Sequence, residues 1–182
     1  MTTIRDIADP KTGMPDTKDQ PDECIRLLDL IEGRLDNLWW TELERRVHSD
    51  IANIASRWLG LNRVRIMQSL IVARSPEFQD LIDDAEEQNL ITYDQGDHLE
   101  RTDIIVSARR RSDRQPVHLA IEVSRNIADY DITRAGERAE SLSAIFGTPA
   151  VSVVVGGNIS QSQQELAESL GVRAIILPRL TV

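Results

Sequence analysis

The sequence predicts an α/β domain with a central mixed sheet, preceded by a helical segment. Two short apolar runs, Thr102 to Ala108 and Val117 to Ser124, flank a polar, arginine-rich turn and read as a β-hairpin. After them helical and strand patterns alternate: a helix from Asp131 to Phe146, a strand from Ala150 to Val155, a helix from Ser160 to Leu170 and a strand from Val172 to Leu177. Before them, apolar stripes at helical spacing mark one or more helices.

In chain order, residues 1–21 are polar, contain Pro10 and Pro15, and hold too little apolar content to fold alone, so a disordered tail is expected. Pro21 or Asp22 opens an amphipathic helix over 22–38, with Cys24, Ile25, Leu28, Ile31, Leu35 and Leu38 on one stripe. That stripe suits either packing on its own chain or a homodimer with a second copy. The rest, 39–182, reads as one domain. Trp39-Trp40 lead into a helix from Thr41 to Leu59, whose stripe is Leu43, Val47, Ile51, Ile54, Ala55 and Trp58, and Gly60 is placed to end it. Leu61 to Arg65 reads as a loop, and Ile66 to Arg74 alternates too poorly to separate strand from helix. Ser75-Pro76-Glu77 starts a helix running to Gln88. Asp94, Asp97, His98 and Glu100 read as loop residues, because their spacing matches neither a calcium loop nor a His-based zinc motif. The helix after the hairpin opens near Asp129 or Asp131 and ends at Gly147. Gly156-Gly157-Asn158 reads as a plain strand-to-helix turn, since it lacks the Lys-Ser/Thr of a P-loop. Ser160 with Gln163, or Ser162 with Glu165, makes a capping box.

The hairpin carries the chemistry. With its midpoint between Ser112 and Asp113, an antiparallel ladder sets Asp103 across from Glu122. Alternation then puts Asp103, Ile105 and Ser107 on one face with Glu122, Ala120 and His118, and Ile104, Val106, Leu119 and Ile121 on the other. Directly opposed like charges are destabilising on a sheet, so a carboxylate pair there points to something positive between them, such as a divalent metal.

An Asp ending one strand and Glu122-Val123-Ser124 on the next resemble the motif of the PD-(D/E)XK nuclease superfamily, and the order of elements over Trp39 to Leu177 matches its core. The resemblance implies a restriction-endonuclease-like fold, with a mixed sheet flanked by helices, and metal-dependent hydrolysis of phosphodiester bonds in DNA or RNA. It implies Asp103, Glu122 and Ser124 as catalytic positions, with Mg²⁺ or Mn²⁺ held by Asp103 and Glu122. A third acidic ligand often comes from the first core helix, where Glu44 is preferred over Glu42. Arg125, Arg134 and Arg138 are the expected nucleic-acid contacts, with surface pairing to Asp131 and Glu137 as the equal alternative for Arg134 and Arg138. The third motif position departs from the pattern: Ser124 stands where the superfamily has Lys, and the only lysines, Lys11 and Lys18, lie in the polar tail. An arginine can stabilise an oxyanion or hold a phosphate but does not readily take a proton. His118 is the histidine available as a general base, with a half-buried structural role as its alternative. The second functional reading is therefore a catalytically degenerate relative that serves as a binding or assembly module.

Composition bounds these readings. The 182 residues, 41% hydrophobic, suffice for a real core, and no stretch approaches the ~20 apolar residues of a membrane span. The N-terminus lacks a secretory or transit pattern, so a cytoplasmic location is expected. Cys24 is the only cysteine, which excludes an intrachain disulfide and a multi-Cys zinc site. The net charge of −9 is concentrated between Glu77 and Glu100, a segment with nine acids and no Lys or Arg. Elsewhere the chain is near neutral, with arginine groups at Arg45 to Arg74 and Arg109 to Arg114, so nucleic-acid binding stays open.

Overall fold

The computed structural model describes residues 20–69 and 75–177. Residues 1–19 of the expected tail and residues 70–74 lie outside them. The chain divides into two compact units, Met1–Leu38 and Trp39–Val182. Its elements are α1 (Gln20–Leu59), β1 (Leu61–Ser69), α2 (Pro76–Glu87), α3 (Tyr93–Glu100), β2 (Ile104–Arg110), β3 (Pro116–Asn126), α4 (Asp129–Phe146), β4 (Ala150–Asn158), α5 (Gln161–Ser169) and β5 (Arg173–Ile176).

Helix α1 is continuous where two helices were expected. Between Gly33 and Gly60 the sequence has neither Pro nor Gly, so nothing at Trp39-Trp40 interrupts the backbone ladder. Gly60, at φ 66°, ends it in the left-handed region. In the first unit, Ile25, Leu28, Ile31 and Leu38 are exposed.

The second unit is built on a five-stranded sheet in the order β1-β2-β3-β4-β5. The β1, β2 and β3 neighbours run antiparallel, whereas β3, β4 and β5 run parallel through the crossovers α4 and α5. This is an α/β mixed sheet, consistent with a restriction-endonuclease-like core. On one face Leu43, Val47, Ile51 and Ile54 of α1 pack against Ile104, Val106, Leu119, Ile121 and Val153. On the other, Ile105 and Ala120 meet Phe78, Ile82, Leu99, Ala139 and Leu142 from α2, α3 and α4. The two central strands are thus covered on both faces, which is why their apolar runs are nearly unbroken.

Three segments differ from expectation. Gly156, Gly157 and Asn158, read as a turn, continue strand β4, with Gly156 paired to Ser124 and Asn158 to Asn126, because β3 runs on beside them to Asn126. Leu61–Arg65 belongs to a strand, and its alternation is hidden by register shifts between Asn62 and Arg65 and between Ile66 and Gln68. Tyr93–Glu100 is a helix, started by a capping box in which Thr92 accepts from the Gln95 N–H while the Gln95 side chain accepts from that of Thr92. Its buried residues are Gly96 and Leu99, too few to leave a helical stripe. Most of the acidic run is the solvated surface of α2 and α3: Asp80, Asp83, Asp84, Glu87 and Asp94 are exposed. No helix among the described residues is long and apolar enough to cross a membrane.

Candidate active site

The hairpin register pairs Ile104 with Ile121 and Ser107 with His118, so Asp103, one residue before β2, stands across from Glu122. Asp103 does not continue the ladder through its backbone alone. Its Oδ2 accepts the Val123 N–H at 2.7 Å, so the side chain closes the end of the hairpin and is fixed by it. Glu122 is 1% exposed. Its two oxygens accept from two arginines one turn apart on α4: Oε2 from Arg134 at 3.0 Å, and Oε1 from Arg138. Helix α4 is aimed there by its first turn, where Asp131 accepts the Ala128 N–H at 3.0 Å and an Arg134 N–H at 3.0 Å.

The electrostatics follow from this crowding. Burial, and next the Asp103 charge, push the Glu122 carboxyl up to about 7, against the pull of Arg138 and Arg134. Burial likewise raises Asp103, opposed by the Val123 N–H and by both arginines, with Asp131 adding repulsion. Two carboxylates and two guanidiniums therefore share one desolvated corner. Arg138 is itself buried, at 5% exposure, and its Nε has no hydrogen-bond partner among the described residues. Arg134 is only partly covered and lies over the Tyr130 ring, 5.1 Å from its centroid.

The other expected residues divide. Burial and then the Asp103 charge raise the Glu44 carboxyl, so this helix residue feels Asp103. Exposed Glu42 is instead tied to Arg45 at 2.7 Å. Among the described residues no group of three His, Cys, Asp or Glu side chains is gathered closely enough to hold a metal ion. Ser124 follows Glu122 on the same face and is buried, with its hydroxyl donating to the Asn126 carbonyl at 2.9 Å. Arg125 alternates to the opposite face of β3 from Glu122 and so does not join Arg134 and Arg138. His118 sits at the far end of the strand, stacked on Phe146, roughly 13 Å of strand rise from Glu122. The pairing of Arg134 with Asp131 was an alternative open in the sequence, whereas the contribution of Tyr130 was not singled out. Its signal was an aromatic residue four positions before an arginine, a spacing that brings two helical side chains together.

No family model matches the chain, and no curated protein matches it. Among solved structures, the crystal structure of a repair endonuclease from Pyrococcus abyssi is similar at 21% identity, over 52% of this chain and 46% of that chain, with a TM-score of 0.34. The similar region spans less than half the length of that endonuclease.

Proposed function

We propose that the second unit, residues 39–182, is a metal-dependent hydrolase of phosphodiester bonds in nucleic acid, acting in the cytoplasm. The observation that supports this reading is the desolvated pair Asp103 and Glu122 at the end of the β2–β3 hairpin, with the half-exposed Arg134 at its rim. The donor set fits Mg²⁺ or Mn²⁺: hard carboxylate oxygens, with Asp103 using Oδ2 for the Val123 N–H and keeping Oδ1 for a cation. Magnesium is commonly held by one or two carboxylates together with waters and substrate phosphate, so two protein ligands suffice, and Glu44 acts on the site through its charge rather than as a gathered third ligand. When bound, such an ion supplies Lewis-acid polarisation of a phosphoryl oxygen and a more acidic water. Asp103 and Glu122 would hold and orient it, Glu122 through the Oε2 that Arg134 releases on turning to the phosphate. Arg134 donates to the phosphate and offsets the charge that develops on its oxygens. Arg138 stays with Glu122 and keeps that carboxylate placed. Ser124 can orient a water or phosphate through its oxygen, but it has no basic group with which to take a proton.

A second reading, a binding or assembly module without catalysis, is favoured by one observation. Ser124 directs its hydroxyl to Asn126, and no lysine lies among the described residues to replace the missing motif base. Under either reading, the stripe of residues 22–38 is the surface that joins two copies, through exposed Ile25, Leu28, Ile31 and Leu38.

Calorimetric titration of Mn²⁺ into the wild type, Asp103→Asn and Glu122→Gln separates the two, with folding followed by circular dichroism and single- and double-stranded DNA and RNA tested as substrates. The hydrolase reading expects binding in the wild type and loss of binding and cleavage together in both variants. Cleavage that survives Asp103→Asn would sink it, and a folded wild type that takes up no Mn²⁺ would leave the module.

A further inference from the structure

The sheet carries a second polar hollow, on the same face as Glu122 but at the opposite end of β3. Arg63 and Arg65 of β1, Ser107 and Arg109 of β2, and Pro116 and His118 of β3 line a half-open cavity of about 250 Å³. Among the described residues three guanidinium-bearing side chains line it and no carboxylate does. The register accounts for the gathering: Arg65 stands opposite Ser107, Ser107 opposite His118, and Arg109 opposite Pro116.

Arg63 joins them through a bulge. Between the pairs Asn62↔Arg109 and Arg65↔Ser107, two β1 residues stand against the single Ala108. There Arg63 takes φ 52°, the left-handed region that side-chain-bearing residues rarely enter. Bulges of this kind re-aim side chains, and backbone strain gathers where function holds it in place. Like charges on adjacent strands repel, yet neither Arg63 nor Arg65 forms an ion pair or hydrogen bond with any described residue. His118 adds an independent sign. Its ring stacks on Phe146 at 3.6 Å, it is 9% exposed, and its buried Nδ1 has no partner among the described residues. A buried polar group without a partner is rare enough to require an explanation.

We propose that this hollow binds the phosphate group of a phosphorylated ligand, held by Arg63, Arg65 and Arg109 with the Ser107 hydroxyl, over His118 as its polar floor. Guanidinium groups match tetrahedral oxyanions with paired N–H donors, and the cavity is smaller than those that enclose whole drug-sized ligands, so it takes a head group. The phosphate belongs either to a nucleic-acid backbone or to a free phosphorylated small molecule, since both present the same oxygens. The site does not rest on the hydrolase reading, because it uses neither Asp103 nor Glu122 and needs no metal.

The test uses the full chain, free of divalent metal. Inorganic phosphate and a short oligothymidylate are titrated separately at low ionic strength, with amide and histidine-ring NMR shifts as the readout. Phosphate should produce saturable shifts at Arg65, Ser107 and His118. Its affinity should fall roughly tenfold or more in Arg63→Ala/Arg65→Ala, whereas Arg57→Ala, which removes an exposed arginine elsewhere, changes it by less than about twofold. If the oligonucleotide weakens in parallel, the phosphate is that of a nucleic-acid backbone; if it does not, the ligand is a small phosphorylated molecule. Absence of saturable shifts, or wild-type affinity in the folded double variant, overturns the site. Should that variant misfold, Ser107→Ala/Arg109→Gln makes the same comparison.

Discussion

Glu122 is buried to 1% exposure beside a second carboxylate, and Arg134 and Arg138 offset that placement. Its folded pKa of about 7 lies above the ordinary 4.5, so between those values the native state binds more protons than the unfolded chain. Stability from this group is therefore greatest below pH 4.5 and declines as pH rises to about 7, beyond which the full cost of the charged form remains. Urea denaturation of the metal-free protein should give a lower midpoint at pH 8 than at pH 5, and Glu122→Gln should flatten that difference. Removing the side chain outright has another consequence. Glu122→Ala leaves the Arg138 guanidinium buried and unpaired, which should destabilise the fold by ~3–5 kcal/mol; Glu122→Ala/Arg138→Met should recover much of it. Denaturant titration of the three proteins checks this. The opposition of Asp103 and Glu122 was legible in the sequence because a hairpin midpoint fixes every pair at once. The arginines on Glu122 were not, because helical spacing places Arg134 and Arg138 on one face without saying which strand residue that face meets.

At the level of elements, the close approach of β3 and β4 depends on Gly156. It pairs with Ser124, and a Cβ there would lie 2.6 Å from the Ser124 carbonyl oxygen and 2.6 Å from Ile127 Cγ1. Gly156→Ala should therefore cost ~1–3 kcal/mol through overpacking and lower the melting temperature, and it should shift the Ser124 amide resonance. The hairpin, α4, α5, β5 and the Ala150 to Val155 part of β4 were readable because each has an unbroken apolar period, and some a clear stop, such as Gly147 at φ 61°. Strand β1 was not, because its bulges break the period-two pattern. Helix α3 buries a single large side chain, Leu99, and only its Thr92/Gln95 cap marked it.

For the whole molecule, the segment 22–38 predicts a concentration-dependent association. Sedimentation velocity should detect a dimer that Leu28→Glu/Ile31→Glu converts to monomer while the circular dichroism of the folded domain is kept; a wild-type monomer at tens of micromolar would remove this surface from consideration. The mixed sheet also has a consequence for the order of assembly. Strands β2 and β3 are joined by a tight turn, whereas β4 reaches β3 only after the α4 crossover has closed. Loop closure makes the hairpin the earlier event. The two carboxylates meet while still hydrated, and their charges leave water only when α4 docks with its arginines. Folding should therefore be nearly indifferent to Arg138→Met, and unfolding should accelerate, so that the barrier protecting the native state is set by the last ion pair to form rather than by the strands that position it.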